Sequence, residues 1–200
     1  MTPREDEIPH EVQRRPGGRS ARVRTAVLDA ALEAIAELGP GGVTISEIAR
    51  RANVHATSIQ RRWGTAENVM LDALLDRSQQ ELPIPDTGAL REDLIEFASS
   101  LAAYLATPLG ATLARTMAVA GDDRELSQGR QRFWQIRNEV AQVLIDRAID
   151  RRELAATVNP ALVVEILVAP LHFRALLTRQ PVDENLIVQI VETILRGLAP

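Results

Sequence analysis

Residues 44–63 read TISEIARRANVHATSIQRRW, and this stretch decides the fold. Thr44 stands three residues before Glu47, the spacing of a capping box, in which hydroxyl and carboxylate each satisfy a backbone N–H of the first turn. Val43 before the cap and Ile48 inside the first turn add a hydrophobic staple. The spacing predicts a helix over about 45–52, ended by Asn53, whose short side chain tolerates left-handed backbone geometry. A turn through Asn53, Val54 and His55 leads into a second short helix over about 56–63. Ile48, Ala49, Val54 and Ile59 are apolar or small, as tight crossing of two short helices requires. Such a pair, packed by a longer first helix, is the helix-turn-helix that lays its second helix in the DNA major groove. The open face of that helix offers Thr57, Ser58, Gln60, Arg61 and Arg62. Gln pairs bidentately with adenine and Arg with guanine, while hydroxyls serve bases or phosphates.

The flanks are helical too. Upstream, a helix over about 21–38 places Val23, Val27, Ala31, Ala34 and Leu38 on one face, with Asp29, Glu33 and Glu37 opposite. Gly39-Pro40-Gly41-Gly42 stops it. Residues 1–20 read as a disordered, arginine-bearing tail. Downstream, Gly64-Thr65 starts a helix over about 66–81, and Pro83, Pro85, Asp86 and Gly88 predict a hinge. Five further helices are expected over about 89–106, 108–120, 123–152, 160–179 and 184–198. Thr107-Pro108 and Asn159-Pro160 are cap-plus-N1-proline pairs, Asp122 with Glu125 has capping-box spacing, and Asp183 suits a cap. Leu90, Leu94, Phe97, Leu101 and Leu105 trace one helical face. The expectation is an all-α chain of nine helices, with a three-helix motif in a head at 21–81 and a body at 82–200.

Composition narrows the function. The chain is 46% hydrophobic and only 3% aromatic, which suits a helical core without strand-forming runs. It has no cysteine, which removes disulfides, thiolate metal sites and a cysteine nucleophile. His10, His55 and His172 lack metal-ligand spacing, and His172 reads as a satisfied core or pocket histidine. No glycine-rich phosphate loop, paired-carboxylate signature or serine-histidine arrangement stands out, so neither enzyme nor cofactor is expected. The first twenty residues are charged and rich in Pro and Gly, unlike a signal peptide. The apolar run 161–171 is interrupted by Glu165 and short for a bilayer, so a cytoplasmic protein without a membrane partner is expected. Net charge is −4, yet between residues 14 and 63 nine arginines face four carboxylates, the footprint of a polyanion-binding end.

The stretch from about Val23 to Leu75 resembles the TetR family of bacterial repressors, through Ala30-Ala31, Gly39, Thr44, Ile48-Ala49, Ala52, Val54, Ile59, Trp63 and Glu67. The segment from Val168 onward also looks like one subgroup's regulatory domain. The resemblance implies nine helices, a ligand pocket in the C-terminal domain and a dimer built mainly from the last two helices. Three positions depart from it: Gln60 where the family usually has Tyr, Ala66 where it has Lys, and His55 where it has Ser. That Tyr and Lys commonly touch phosphates, so Arg61, Arg62 and the arginine-rich tail are the compensating charge.

The expected DNA contacts are Thr44, His55, Ala56, Thr57, Ser58, Gln60, Arg61, Arg62 and Thr65, with Arg22 and Arg24 from an arm; Trp63 reads as a core anchor. Arg50 and Arg51 balance helix-dipole and phosphate roles. Bulky or polar candidates for the pocket are Phe97, Tyr104, Met117, Phe133, Trp134, Arg137, His172 and Phe173. The segment 161–177 is apolar nearly all round, as is a broad stripe on the last helix. Leu167, Leu171, Ile187, Ile190 and Ile194 are therefore the expected dimer contacts, with Pro170 bending the first of the two helices. The partners follow: double-stranded operator DNA, a second copy, and a small-molecule effector that releases a repressor from a palindrome. The alternative is a ligand-independent helix-turn-helix regulator or an architectural DNA-binding protein.

Overall fold

A computed structural model describes residues 18–118 and 124–198; within them lie nine α-helices and no strand. They are α1 (Gly18–Leu38), α2 (Ile45–Ala52), α3 (Ala56–Trp63), α4 (Ala66–Glu81), α5 (Leu90–Ala106), α6 (Pro108–Ala118), α7 (Arg124–Asp150), α8 (Pro160–Phe173) and α9 (Glu184–Leu198). The tail arginines Arg14 and Arg15, and the capping box at Asp122 and Glu125, lie outside what is described.

Local chemistry sets the helix starts. Thr44 accepts the Glu47 N–H at 3.2 Å and Thr65 the Asn68 N–H at 3.3 Å. Asn159 accepts from Ala161 and Leu162, Thr107 from Gly110, and Asp183 from Leu186. Each satisfies a first-turn donor that the helix itself leaves unpaired. Asn53 takes left-handed geometry (φ 52°, ψ 49°) to end α2.

In the head, α1 packs on α2 and α4, and α2 on α3. Ala30, Ala31 and Ala34 are small and buried, which lets α1 lie close to its neighbours, while Val23 and Leu38 at the ends of the expected stripe are exposed. In the body, α5 runs between α6, α7, α8 and α9, with its whole expected face buried. Contact between α4 and α7 joins the two parts. Between α5 and α6 the chain bends by 91°. Gly110 makes that corner possible, because a Cβ there would sit 2.0 Å from the Tyr104 carbonyl oxygen.

Three expectations need correction. The segment at 83–88 is not a free hinge: Arg147 donates to the Pro85 carbonyl at 2.9 Å, and fully buried Asp93 accepts from the Thr87 N–H, the Thr87 hydroxyl and Arg151. The Leu90 N–H donates to Glu153 at 2.7 Å, so α5 is capped from 63 positions away. Second, α8 continues through Pro170 to Phe173 and then widens into a π-helical turn, Arg174–Thr178. The combined Pro160–Thr178 is long and apolar enough to cross a bilayer by length and composition, so the shorter run 161–171 understated it. Its packing against α5, α7 and α9, rather than its length, marks it as a body helix.

The third correction concerns the dimer contacts. Leu167, Leu171, Ile187 and Ile194 are buried in the protomer's own core and Ile190 is half-buried, so this stripe faces inward. A helix apolar on all sides does not declare which side its own body covers. On α8 and the turn that follows it, the uncovered apolar side chains are Leu162, Ile166, Phe173 and Leu177, the last 72% exposed.

Candidate nucleic-acid interface and body cavity

Ile48 and Ile59 are fully buried where α2 crosses α3, with Ala49 beside them and Val54 packed against the same core. Burying that face turns the opposite face of α3 outward. Thr57, Ser58, Gln60, Arg61 and Arg62 are all exposed, as are Thr44, His55 and Arg22, with Ala56 and Thr65 half-buried. Ala66 is buried in the first turn of α4, so the position of the family's lysine is filled by a core methyl.

The orientation of α3 is fixed at its C-terminus. Trp63 donates its indole N–H to Asp72 at 2.9 Å, and the Asn68 amide donates to the Trp63 carbonyl. The Arg62 guanidinium lies 4.8 Å from the Trp63 ring centroid, a cation–π contact that holds its stem along the helix. Trp63 is thus an anchor between α3 and α4, as expected.

The head's charge is more selective than its arginine count. Arg24 pairs with Asp72 at 2.8 Å and Asp76 at 2.6 Å, which ties α1 to α4 and raises its pKa, chiefly through Asp76. Arg51 bridges Glu37 and Glu47, each at 2.7 Å, and Arg50 also pairs with Glu47. Glu47, bonded first by Arg50 and then by Arg51, is held down to about 2. Its carboxylate is drawn to these cations and caps only one way, through its own N–H. Among the described residues no carboxylate reaches Arg22, Arg61 or Arg62. Arg24 and Arg51 are structural ties, a role that only the partners' placement reveals.

The body holds a cavity of about 50 Å³ between α4, α5, α6, α7 and α8. Of the eight pocket candidates, Phe97, Tyr104, Phe133, Trp134, Arg137 and His172 line it. Phe173 does not: it is 54% exposed, because the next residue along a helix turns about 100° away from His172. The Met117 side chain lies outside the described set. Residue types alone did not single out Ser78, Leu82, Gly110, Asn138, Val164 and Val168, which also line it.

Trp134 packs edge-on against both Phe133 and His172, with centroids 5.3 Å apart in each case. His172 Nδ1 lies 2.9 Å from the Val168 carbonyl, and burial pushes its pKa down, so the ring is neutral and Nδ1–H is the donor. Burial also raises the Tyr104 phenol and lowers the Arg137 guanidinium. Among the described residues, the Tyr104 hydroxyl and Arg137 Nη1 are buried without a hydrogen-bond partner. No cluster of metal-ligating side chains occurs among the described residues.

Residues 27–73 match the model of the bacterial regulatory proteins, tetR family, and residues 84–194 that of the tetracyclin repressor-like C-terminal domain. Over 179 residues the chain is 37% identical to the HTH-type transcriptional regulator AqdR of Rhodococcus erythropolis, covering 90% of this chain and 86% of that protein. It is 28% identical to the uncharacterized HTH-type transcriptional regulator YdeS of Bacillus subtilis, covering 86% and 88%. The TetR family transcription regulator SCO0332 superposes with a TM-score of 0.76 at 25% identity, over 90% of this chain and all of that one. The fold is shared with FadR of Bacillus subtilis, solved in complex with stearoyl-CoA, at a TM-score of 0.59 and 18% identity over 87% and 96% of the two chains. The chain belongs to the tetR family of bacterial regulatory proteins and is a helix-turn-helix, DNA-binding transcriptional regulator.

Proposed function

We propose that this regulator is a cytoplasmic repressor that sits on a palindromic operator as a homodimer and leaves it when a small molecule enters the body cavity. One observation carries the reading: α4 serves both ends. Asp72 on α4 holds Trp63 at the end of the recognition helix, and Ser78 and Leu82 at its far end line the cavity. Six residues of helix separate Asp72 from Ser78, about 9 Å. A ligand that binds better when α4 is displaced weakens DNA binding by its differential affinity for the two states.

Gln60 and Arg61 are assigned to base edges, with Thr57 and Ser58 beside them. Arg62, Arg22, Thr44, Thr65, His55 and Ala56 are assigned to the phosphates, which fix register. The exposed apolar face of Leu162, Ile166, Phe173 and Leu177 is assigned to the second copy, whose two-fold axis matches a palindrome. Selection of genomic fragments bound by the purified protein, repeated with a small-molecule library, tests this. Recovery of a palindrome whose occupancy falls in a saturable way with one compound class is the expected result.

A second reading is favoured by the cavity's size, since about 50 Å³ is well below the ~150 Å³ of a cavity that holds benzene. On that reading the protein regulates without an effector. Operator occupancy indifferent to the whole library would select it.

A further inference from the structure

We propose that the body cavity receives amphiphilic anions, with the Arg137 guanidinium anchoring a carboxylate or an equally acidic head group; this rests on reading the cavity as the effector site. Arg137 is only 8% exposed, and Nη1 has no partner. No ion pair or hydrogen bond reaches Arg137 among the described residues, and no Asp or Glu lines the cavity. A guanidinium carries five donors and keeps its proton at any working pH, so this cation is buried uncompensated. That is a costly arrangement unless something supplies the missing charge.

The second orphan, the Tyr104 hydroxyl, lines the same cavity and adds a donor of the kind a carboxylate accepts. Of the other polar groups, the Ser78 hydroxyl donates to Leu75 and His172 to Val168, while Asn138 and the Trp134 indole add neutral polar atoms to the wall. Most of the remaining wall is hydrocarbon, including Leu101, Leu113 and Val164. Two unmet donors within an apolar lining specify an occupant with one negative head and an alkyl or aryl body, which enters as the wall widens from its present volume of about 50 Å³. A neutral ligand leaves the cation uncompensated, and a cationic one is repelled.

The test is titration calorimetry on the full chain with the alkanoates from hexanoate to tetradecanoate and with 4-phenylbutyrate. Each is compared with its primary amide, and decylamine serves as the cationic control. The best acid should bind roughly tenfold to hundredfold tighter than its amide, the size of a charge-assisted hydrogen bond, and the amine should not bind. Arg137→Met should reduce that preference to within about twofold. It should also leave the melting temperature of the free protein unchanged or raised, because an apolar side chain replaces an unpaired cation. Arg137→Lys keeps the charge and should keep most of the preference, and it serves if the Met variant fails to fold.

Absence of acid binding at every chain length overturns the assignment, as does equal binding of acid and amide. So does an Arg137→Met protein that melts earlier yet retains the anion preference, the mark of a purely structural cation. If acids and amides alike release the protein from its selected operator, the cavity remains the effector site and only the anion assignment fails.

Discussion

Asp72→Ala should destabilise the protein by about 2 kcal/mol while leaving the exposed face of α3 chemically intact. One carboxylate oxygen accepts the Trp63 indole N–H at 2.9 Å, and the other accepts Arg24 at 2.8 Å. A hydrogen bond to a charged acceptor between half-buried groups contributes about 1.5 kcal/mol. The Arg24 pair, about a third exposed on each side, adds at most about 1 kcal/mol, and Arg24 keeps Asp76 at 2.6 Å as a fallback. Asp72→Asn retains an oxygen for Trp63 but loses the charge, so its cost should be about half. Urea unfolding at a fixed protomer concentration measures both, since the stability of an oligomer depends on concentration. DNA affinity should fall for all sequences alike, because the change tilts the recognition helix without altering its readers. An alanine variant within 0.5 kcal/mol of wild type would refute the reasoning, as would an asparagine variant no better than alanine.

Gln60→Ala should relax preference at one position per half-site and weaken the best operator by about 1–3 kcal/mol; fragment selection with the variant reads this directly, and unchanged base preferences would remove Gln60 as a reader. Arg62→Ala should weaken all sequences alike and flatten the slope of log affinity against log salt by about 1.8 in a dimer, one phosphate per head; an unaltered slope would show that Arg62 only braces Trp63. Leu177→Glu, at a 72% exposed position, should leave the fold intact and shift the sedimenting species from dimer to monomer, whereas a persistent dimer would exclude that face. The buried, neutral His172 has its pKa depressed, while the unfolded chain takes up the proton near the usual ~6.5. Stability should therefore fall as pH drops below about 6.5 towards the depressed value, less so in His172→Gln, and identical pH dependence in the two proteins would count against it.

What the sequence revealed is what short-range chemistry controls. Thr44, Thr65, Thr107, Asn159 and Asp183 each cap a helix whose first turn lies within three residues, so spacing alone located those starts. The burial of Ile48 and Ile59, and hence the outward face of α3, follows from helical periodicity. Illegible features depend on partners far along the chain. Arg24 lies 48 and 52 residues from the aspartates that hold it, so it read as a DNA-contacting arginine. Glu153 caps α5 from 63 residues away, and the proline-rich segment read as a hinge for want of Arg147, 62 residues beyond Pro85. The α8 surface failed for a different reason. A residue pattern apolar all round carries no phase, and only packing decides which stripe is core. Nothing local to Gly110 in the sequence shows that the Tyr104 carbonyl occupies the space a side chain would need.

These long-range ties also constrain how head and body communicate. Because Arg147 donates to the Pro85 carbonyl and both Arg147 and Arg151 pair with Asp86, the segment between α4 and α5 is not a loose linker. Arg147 lies on α7 and Arg151 just past its end; α7 carries Arg137 about 15 Å before Arg147 and packs directly on α4. An occupant that recruits Arg137 therefore loads the same helix that fixes the linker and supports α4. The other end of α4 holds Asp72, and through it Trp63 and α3. On the proposed reading, a shift in the cavity wall passes along these packed helices, and two heads joined through the α8 face respond together. The spacing between two heads is what a palindrome reads, so on that reading displacing α4 moves the two recognition helices off their half-sites.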